Sequence, residues 1–196
     1  MIRMDLTQGT GKEKNARAKK MMLWFGIVSL LMGFAGWTSA YIVSSSREDW
    51  IKDLALPSSF FASTIVIIIS SITYIMAKKA IRQDRIKQCT TWLLVTLALG
   101  ITFVILQFNG FSQMVANGYY FTGPTSNIKM SYVFLIAAVH IVHVVAGIIS
   151  LLVVIANHLR NKYSSEEMLG LELGATFWHF LDILWVYLIL FMYFVN

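Results

Sequence analysis

Apolar residues come in five long runs separated by short polar or charged stretches. A helix needs about 20 apolar residues to cross the ~30 Å hydrocarbon core of a bilayer. By that measure the pattern predicts spans over about 21–43, 58–77, 88–109, 130–157 and 170–195. The second opens on Pro57-Ser58-Ser59, where proline suits the first turn of a helix. The third is expected to end near Asn109-Gly110. The uncharged run continues to Ile128, but "NGFSQMVANGYYFTGPTSN" is rich in turn formers and amides. Lys129 and Arg160 bound the fourth, and the fifth starts at Gly170. Residues 1–20 read as a basic tail ahead of a single five-helix domain over 21–196. The first run, Met21 to Val43, is too long for the core of a cleavable signal and lacks a small-residue cleavage site. No internal repeat is visible, which argues against an inverted-repeat transporter.

Composition turns this pattern into a class. The chain is 57% hydrophobic and 13% charged, with mean hydropathy +0.66, whereas soluble domains carry about 25% charged residues. An all-α polytopic membrane bundle is therefore expected. The net charge of +6 would suit a nucleic-acid partner, but the positive residues cluster beside the apolar spans. Membrane orientation explains them without nucleic acid. Thirteen of the sixteen Lys and Arg residues fall in the N-terminal tail, the "KKAIRQDRIK" loop and the "HLRNKY" loop, leaving Arg47, Lys52 and Lys129 for the other side. This predicts a cytoplasmic N-terminus and an outside C-terminus. Cys89, the single cysteine, excludes an intramolecular disulfide and offers no second thiolate to a metal.

Three groups of residues carry candidate chemistry. In the first span Gly26, Ser29, Gly33, Gly36 and Ala40 lie along one helical stripe, suited to close helix packing or to a lipid groove. In the fourth, His140 and His143 are three residues apart and share a face. They could ligate metal or haem, hydrogen-bond within the bundle, or relay protons. In the fifth, Glu172, His179 and Asp182 share a face. Asp182 lies ~18 Å from the cytoplasmic start of its helix and His143 ~21 Å from the same side. The matched depths predict a His143–Asp182 contact between the last two helices. A polar clasp that fixes helix pairing competes here with proton handling, since ionisable residues in a membrane interior are costly and functional by default. His158 lies at the cytoplasmic end of its span. No phosphate-binding glycine loop, nucleophile elbow or zinc-protease motif is present in the sequence.

Several stretches resemble subunit III of the haem-copper terminal oxidases. They are "FAGWTSAYIV", "LGITFVILQFNGF", "HIVHVVAGIISLLVV" and "GATFWHFLDILWVYLILFMYF". The family's last helix typically reads Tyr-Trp-His-Phe-Val-Asp-x-x-Trp with a Glu before it. Glu172, Phe177-Trp178-His179-Phe180 and Asp182 through Trp185 stand in those places, and His140, His143 and Gly147 match its His-x-x-His-x-x-x-Gly pattern. The resemblance implies the short five-helix form. It implies a subunit with no catalytic, cofactor or metal residues of its own, haem and copper belonging to partner subunits. It also implies packing beside subunit I and other oxidase subunits, bound phospholipid, support of proton uptake and sustained turnover, and a place in the bacterial inner membrane, with a larger respiratory assembly open. The expected reaction of the complex is reduction of oxygen to water by cytochrome c. A quinol oxidase, an accessory subunit of nitric oxide reductase and, from other classes, a small transporter or a b-type haem protein are the alternatives. One departure stands out: where the family has Ser-Glu or Ser-Asp early in the first helix, this chain has Ser29-Leu30. Any role for that carboxylate is in doubt here.

Overall fold

Helix formation begins earlier than the apolar pattern requires. The Thr10 hydroxyl accepts from the Glu13 amide at 3.4 Å, and the Glu13 carboxylate accepts from the Thr10 amide at 2.9 Å. This capping box satisfies two amides that a helix start leaves orphaned. Helix α1 therefore starts at Gly11, and Lys12, Lys14, Arg17, Lys19 and Lys20 are helical turns of the first span instead of a separate tail. The computed structural model describes residues 9–50, 56–123, 126–164 and 167–195, so the first eight residues of the expected tail lie outside the described residues. Five helices follow one another: α1 (Gly11–Ser44), α2 (Ser58–Arg82), α3 (Ile86–Ala116), α4 (Ile128–Leu159) and α5 (Leu169–Phe194). Each is long and apolar enough to cross a membrane. Among the described residues there is no strand. The chain is an all-α, multi-pass membrane protein.

The third helix runs past the turn signal at Asn109-Gly110 and stops at the next one, Asn117-Gly118. Gly118 adopts φ 82°, and its amide and that of Tyr119 bond back to Val115 and Met114 at 3.0 Å. This is the left-handed glycine cap that ends many helices. Gly110 does different work. A Cβ there would collide with the Phe60 ring of α2, so its bare backbone makes room for a neighbour while the helix continues. Two further tight turns, between α2 and α3 and between α4 and α5, use Asp84 (φ 53°) and Asn161 (φ 54°). Short polar side chains of this kind tolerate the left-handed region.

Helix α5 sits against α1, α2 and α4, while α2 and α3 form the most extensive pair. Lipid tails are as apolar as leucine, so such helices associate by close packing and interhelical hydrogen bonds. Trp178 shows the first. Its ring lies in a slot between Gly100 of α3 and Gly147 of α4, where added Cβ atoms would come within 2.7 Å and 3.3 Å of it. Trp185, two turns on, is ringed by Phe60, Phe103 and His140. Helix α1 is the least embedded: it touches only α4 and α5, mainly through Ile27, Phe34, Thr38 and Tyr41.

Candidate functional site

The polar groups of the interior converge on α2. Three of its hydroxyls meet α3: Ser59 accepts from Gln113 Nε2 at 2.7 Å, Ser63 from Gln107 Nε2 at 2.8 Å, and Thr73 shares a hydrogen bond with Thr96 at 2.8 Å. Three more meet α5. Thr64 accepts from Trp185 Nε1 and Ser70 from Trp178 Nε1, each at 3.0 Å, and Ser71 Oγ lies 2.6 Å from His179 Nδ1. This hydroxyl seam was not anticipated from the sequence. The available signal was that hydroxyls recur about two turns apart on α2, at Thr64 and at Ser70-Ser71, as Trp178 and Trp185 do on α5.

The expected His143–Asp182 contact does not form. His143 donates from Nδ1 to the Val139 carbonyl of its own helix at 2.7 Å, and its ring meets Phe34 of α1 edge-on at 5.7 Å. Matched depth fixes height along a helix and says nothing about the direction a side chain takes around it. Asp182 is 3% exposed and neither of its oxygens has a hydrogen bond. Ser71, already bonded to His179, is its hydroxyl neighbour. Glu172 lies nearer the basic end among Lys20 (3.7 Å), Lys78 (4.0 Å) and Arg82 (3.5 Å). Glu172 and His179 thus both meet α2, and Asp182 lies beside it.

His140 is fully buried, stacked on Trp185 at 5.1 Å and edge-on to Phe34 and Phe103, with neither ring nitrogen bonded to protein. His158 closes the basic end of α4 against the Thr90 hydroxyl at 3.0 Å. No group of three or more His, Cys, Asp or Glu that could hold a metal occurs among the described residues. The small-residue stripe faces outward: Gly26, Ser29, Gly33 and Gly36 are exposed, Ala40 is half-buried, and a Cβ on any of the three glycines would meet nothing within 4 Å. Its three glycines therefore serve no close helix packing among the described residues. Outside the spans, Arg47 grips Asp49 through two hydrogen bonds of 2.9 and 3.3 Å, which hold the Asp49 carboxyl below its ordinary pKa. Burial raises the Tyr163 hydroxyl on the opposite side, against a hydrogen bond from Asn157.

The sequence profile described as cytochrome c oxidase subunit III matches residues 49–196, covering α2 to α5 with their seam. The chain belongs to that family. Among curated proteins, the cytochrome c oxidase subunit 3 of Spodoptera frugiperda is 34% identical over 134 residues, which is 67% of this chain and 85% of that protein. The cytochrome bo(3) ubiquinol oxidase subunit 3 of Pseudomonas aeruginosa is 30% identical over 69% of this chain, which spans 63% of it. Its namesake from Buchnera aphidicola of Acyrthosiphon pisum is 27% identical over 188 residues, 92% of this chain and 89% of that protein. Helix α1 lies before the region matched by the subunit III profile, and the Buchnera alignment reaches into it. The family's Trp-His-Phe…Asp…Trp signature is, in three dimensions, largely the α5 half of the seam with α2.

Proposed function

We propose that the chain is the cofactor-free subunit III of a proton-pumping respiratory oxidase that reduces oxygen to water with electrons from cytochrome c. In this reading it packs beside subunit I, retains phospholipid, and supports sustained turnover and proton uptake, while haem and copper reside in the partners. Its residues 21–196 form the membrane domain, with the N-terminus in the cytoplasm of a bacterial cell and the C-terminus outside. The profile match over residues 49–196 carries the proposal. The seam adds a structural role for the candidate residues: Glu172 and His179 fasten α5 to α2, Asp182 lies buried beside that contact, and His140 fills the core around Trp185.

A second reading, subunit III of a quinol oxidase, is favoured by the ubiquinol-oxidase relative from Buchnera, whose alignment covers 92% of this chain. Purification of the tagged chain in mild detergent tests both. The expected result is co-elution with a large haem-bearing subunit and phospholipid, in a complex that oxidises reduced cytochrome c. Oxidation of ubiquinol alone selects the second reading. Recovery solely as a homo-oligomer overturns both and favours a transporter.

A further inference from the structure

Between α1, α4 and α5 the bundle holds a cavity of about 430 Å³, a size suited to a small molecule. Leu23 of α1, Val153 and Val154 of α4, and Leu173 and Phe177 of α5 give it apolar walls. Ser150, Asn157 and Tyr163 are its polar side chains, and among the described residues none that lines it is charged. Ser150 lies ~14 Å along α4 from the helix end at Leu159, so the cavity reaches well into the span. Val153, 55% exposed, stands on its rim and leaves a way out to the bilayer.

Two glycines of α5, Gly170 and Gly174, form the floor, ~6 Å apart along the helix axis. A tyrosine hydroxyl meets each of them. Tyr163 Oη occupies the space that a Cβ on Gly170 would take. Tyr74 reaches in from α2, its Oη 2.7 Å from the place of a Cβ on Gly174, with Ser150 Oγ 3.9 Å from the same place. Tyr74 is fully buried and its hydroxyl has no hydrogen bond. A buried donor left unsatisfied is costly, so this hydroxyl lacks an acceptor at the cavity floor. Burial raises the pKa of the Tyr163 hydroxyl, and Asn157 bonds to its oxygen, so its own hydrogen is left to donate. The crevice thus offers O–H donors at two points, one helical turn apart, between walls without charge.

We propose that this crevice is a binding site for a para-quinone. One ring carbonyl accepts from Tyr74 and Ser150 at Gly174, and the other accepts from Tyr163 at Gly170. The ring lies flat on the glycine floor, and its tail passes Val153 into the bilayer. The two oxygens of a para-quinone stand on opposite sides of one ring, a separation that matches the turn between the glycines. An uncharged dione suits this lining, whereas a phosphate would be buried with no cation in the wall to meet it. The site goes beyond the function proposed above and holds for either electron donor. It assigns binding alone, with no change in oxidation state.

The full chain in phosphatidylcholine nanodiscs, photolabelled with an azido-ubiquinone and mapped by peptide mass spectrometry, tests the site. Label should fall on residues 150–157 and 170–177. Decylubiquinone should displace it, and decylbenzene, with the same tail and no carbonyl, should not. Tyr74→Phe and Tyr163→Phe should each weaken displacement about fivefold, and together about twenty-five-fold. Tyr193→Phe, at an exposed hydroxyl near the other end of α5, should change nothing. Leu23→Trp, which fills the crevice from α1, should abolish the label while the circular dichroism stays that of the parent chain. Equal displacement by decylbenzene, label spread evenly over the lipid-facing helices, or an unchanged affinity in the double phenylalanine variant overturns the site. Displacement by phosphatidylglycerol at equal concentration overturns the quinone assignment. The function proposed above fails separately, if the chain is recovered without a haem-bearing subunit.

Discussion

Gly147→Ala isolates the steric part of this bundle. The new methyl would lie 2.8 Å from Leu181 Cδ1 and 3.3 and 3.4 Å from the Trp178 ring. Leu181 can rotate its terminal methyl away. Trp178 cannot retreat, because its far edge already fills the notch at Gly100, where a Cβ would stand 2.7 Å off, and its Nε1 donates to Ser70 at 3.0 Å. Overpacking of a core in this way costs about 1–3 kcal/mol. Alanine also favours helix over glycine by about 1 kcal/mol, which would mask part of the loss. Gly33→Ala on α1 removes that ambiguity: it makes the same change where a Cβ meets nothing within 4 Å. The difference between the two variants is therefore the steric cost alone, with Gly147→Ala the less stable by about 1–3 kcal/mol. Ser70→Ala, which removes the acceptor of the Trp178 N–H, should cost less, about 0.6 kcal/mol on the average for hydrogen bonds between membrane helices. It should also free the ring, so the Ser70→Ala, Gly147→Ala double variant should lose less than the two single losses added. Unfolding of the full chain by sodium dodecyl sulfate in mixed micelles, followed by far-ultraviolet circular dichroism, measures all four. Equal midpoints for Gly147→Ala and Gly33→Ala would refute the account of the Trp178 slot.

Three further predictions concern the same full chain. Ser71→Ala, which deletes the hydroxyl joining α2 to His179, should destabilise the chain by about 0.6–1.7 kcal/mol, while His143→Ala should leave α4–α5 cross-linking unchanged because its Nδ1 bond stays within α4. Asp49 is held below the ordinary 3.8 by Arg47, and a group depressed on folding stabilises fully above its unfolded value. Its contribution should be complete above about pH 4 and vanish as pH falls through the lowered value, a trend that Asp49→Asn should erase from the pH dependence of the same unfolding midpoint.

The five helices were legible because apolar length is a property of the chain in one dimension. What escaped the sequence depends on direction around each helix. Asn109-Gly110 and Asn117-Gly118 are the same dipeptide in similar company, yet one sits inside α3 and the other ends it. Phe60, fifty residues earlier in the chain, occupies the space that Gly110 leaves. The outward aim of Gly26, Gly33 and Gly36 was hidden in the same way, since their stripe is equally suited to a neighbour inside or outside the chain. Helical rise assigns His143 and Asp182 one depth, but the first turns to α1 and its own backbone while the second lies beside α2. Serine and threonine inside a helix are weak signals individually, so the hydroxyls with which α2 organises the interior do not stand out in its sequence.

The register of the seam explains why the last helix carries its residues in their order. Helices α2 and α5 run antiparallel, so Thr64 meets Trp185 at one level, and Ser70 and Ser71 meet Trp178 and His179 two turns away. Sliding either helix by a turn would strand two indole N–H groups in an apolar interior, which makes the pairing selective as well as adhesive. Asp182 lies between those two levels with only Ser71 at hand, and Ser71 has one hydrogen to give. When His179 accepts that hydrogen at Nδ1, the carboxyl receives nothing. The register that satisfies both indole N–H groups leaves the Asp182 carboxyl buried without a hydrogen bond, beside a serine already engaged by His179.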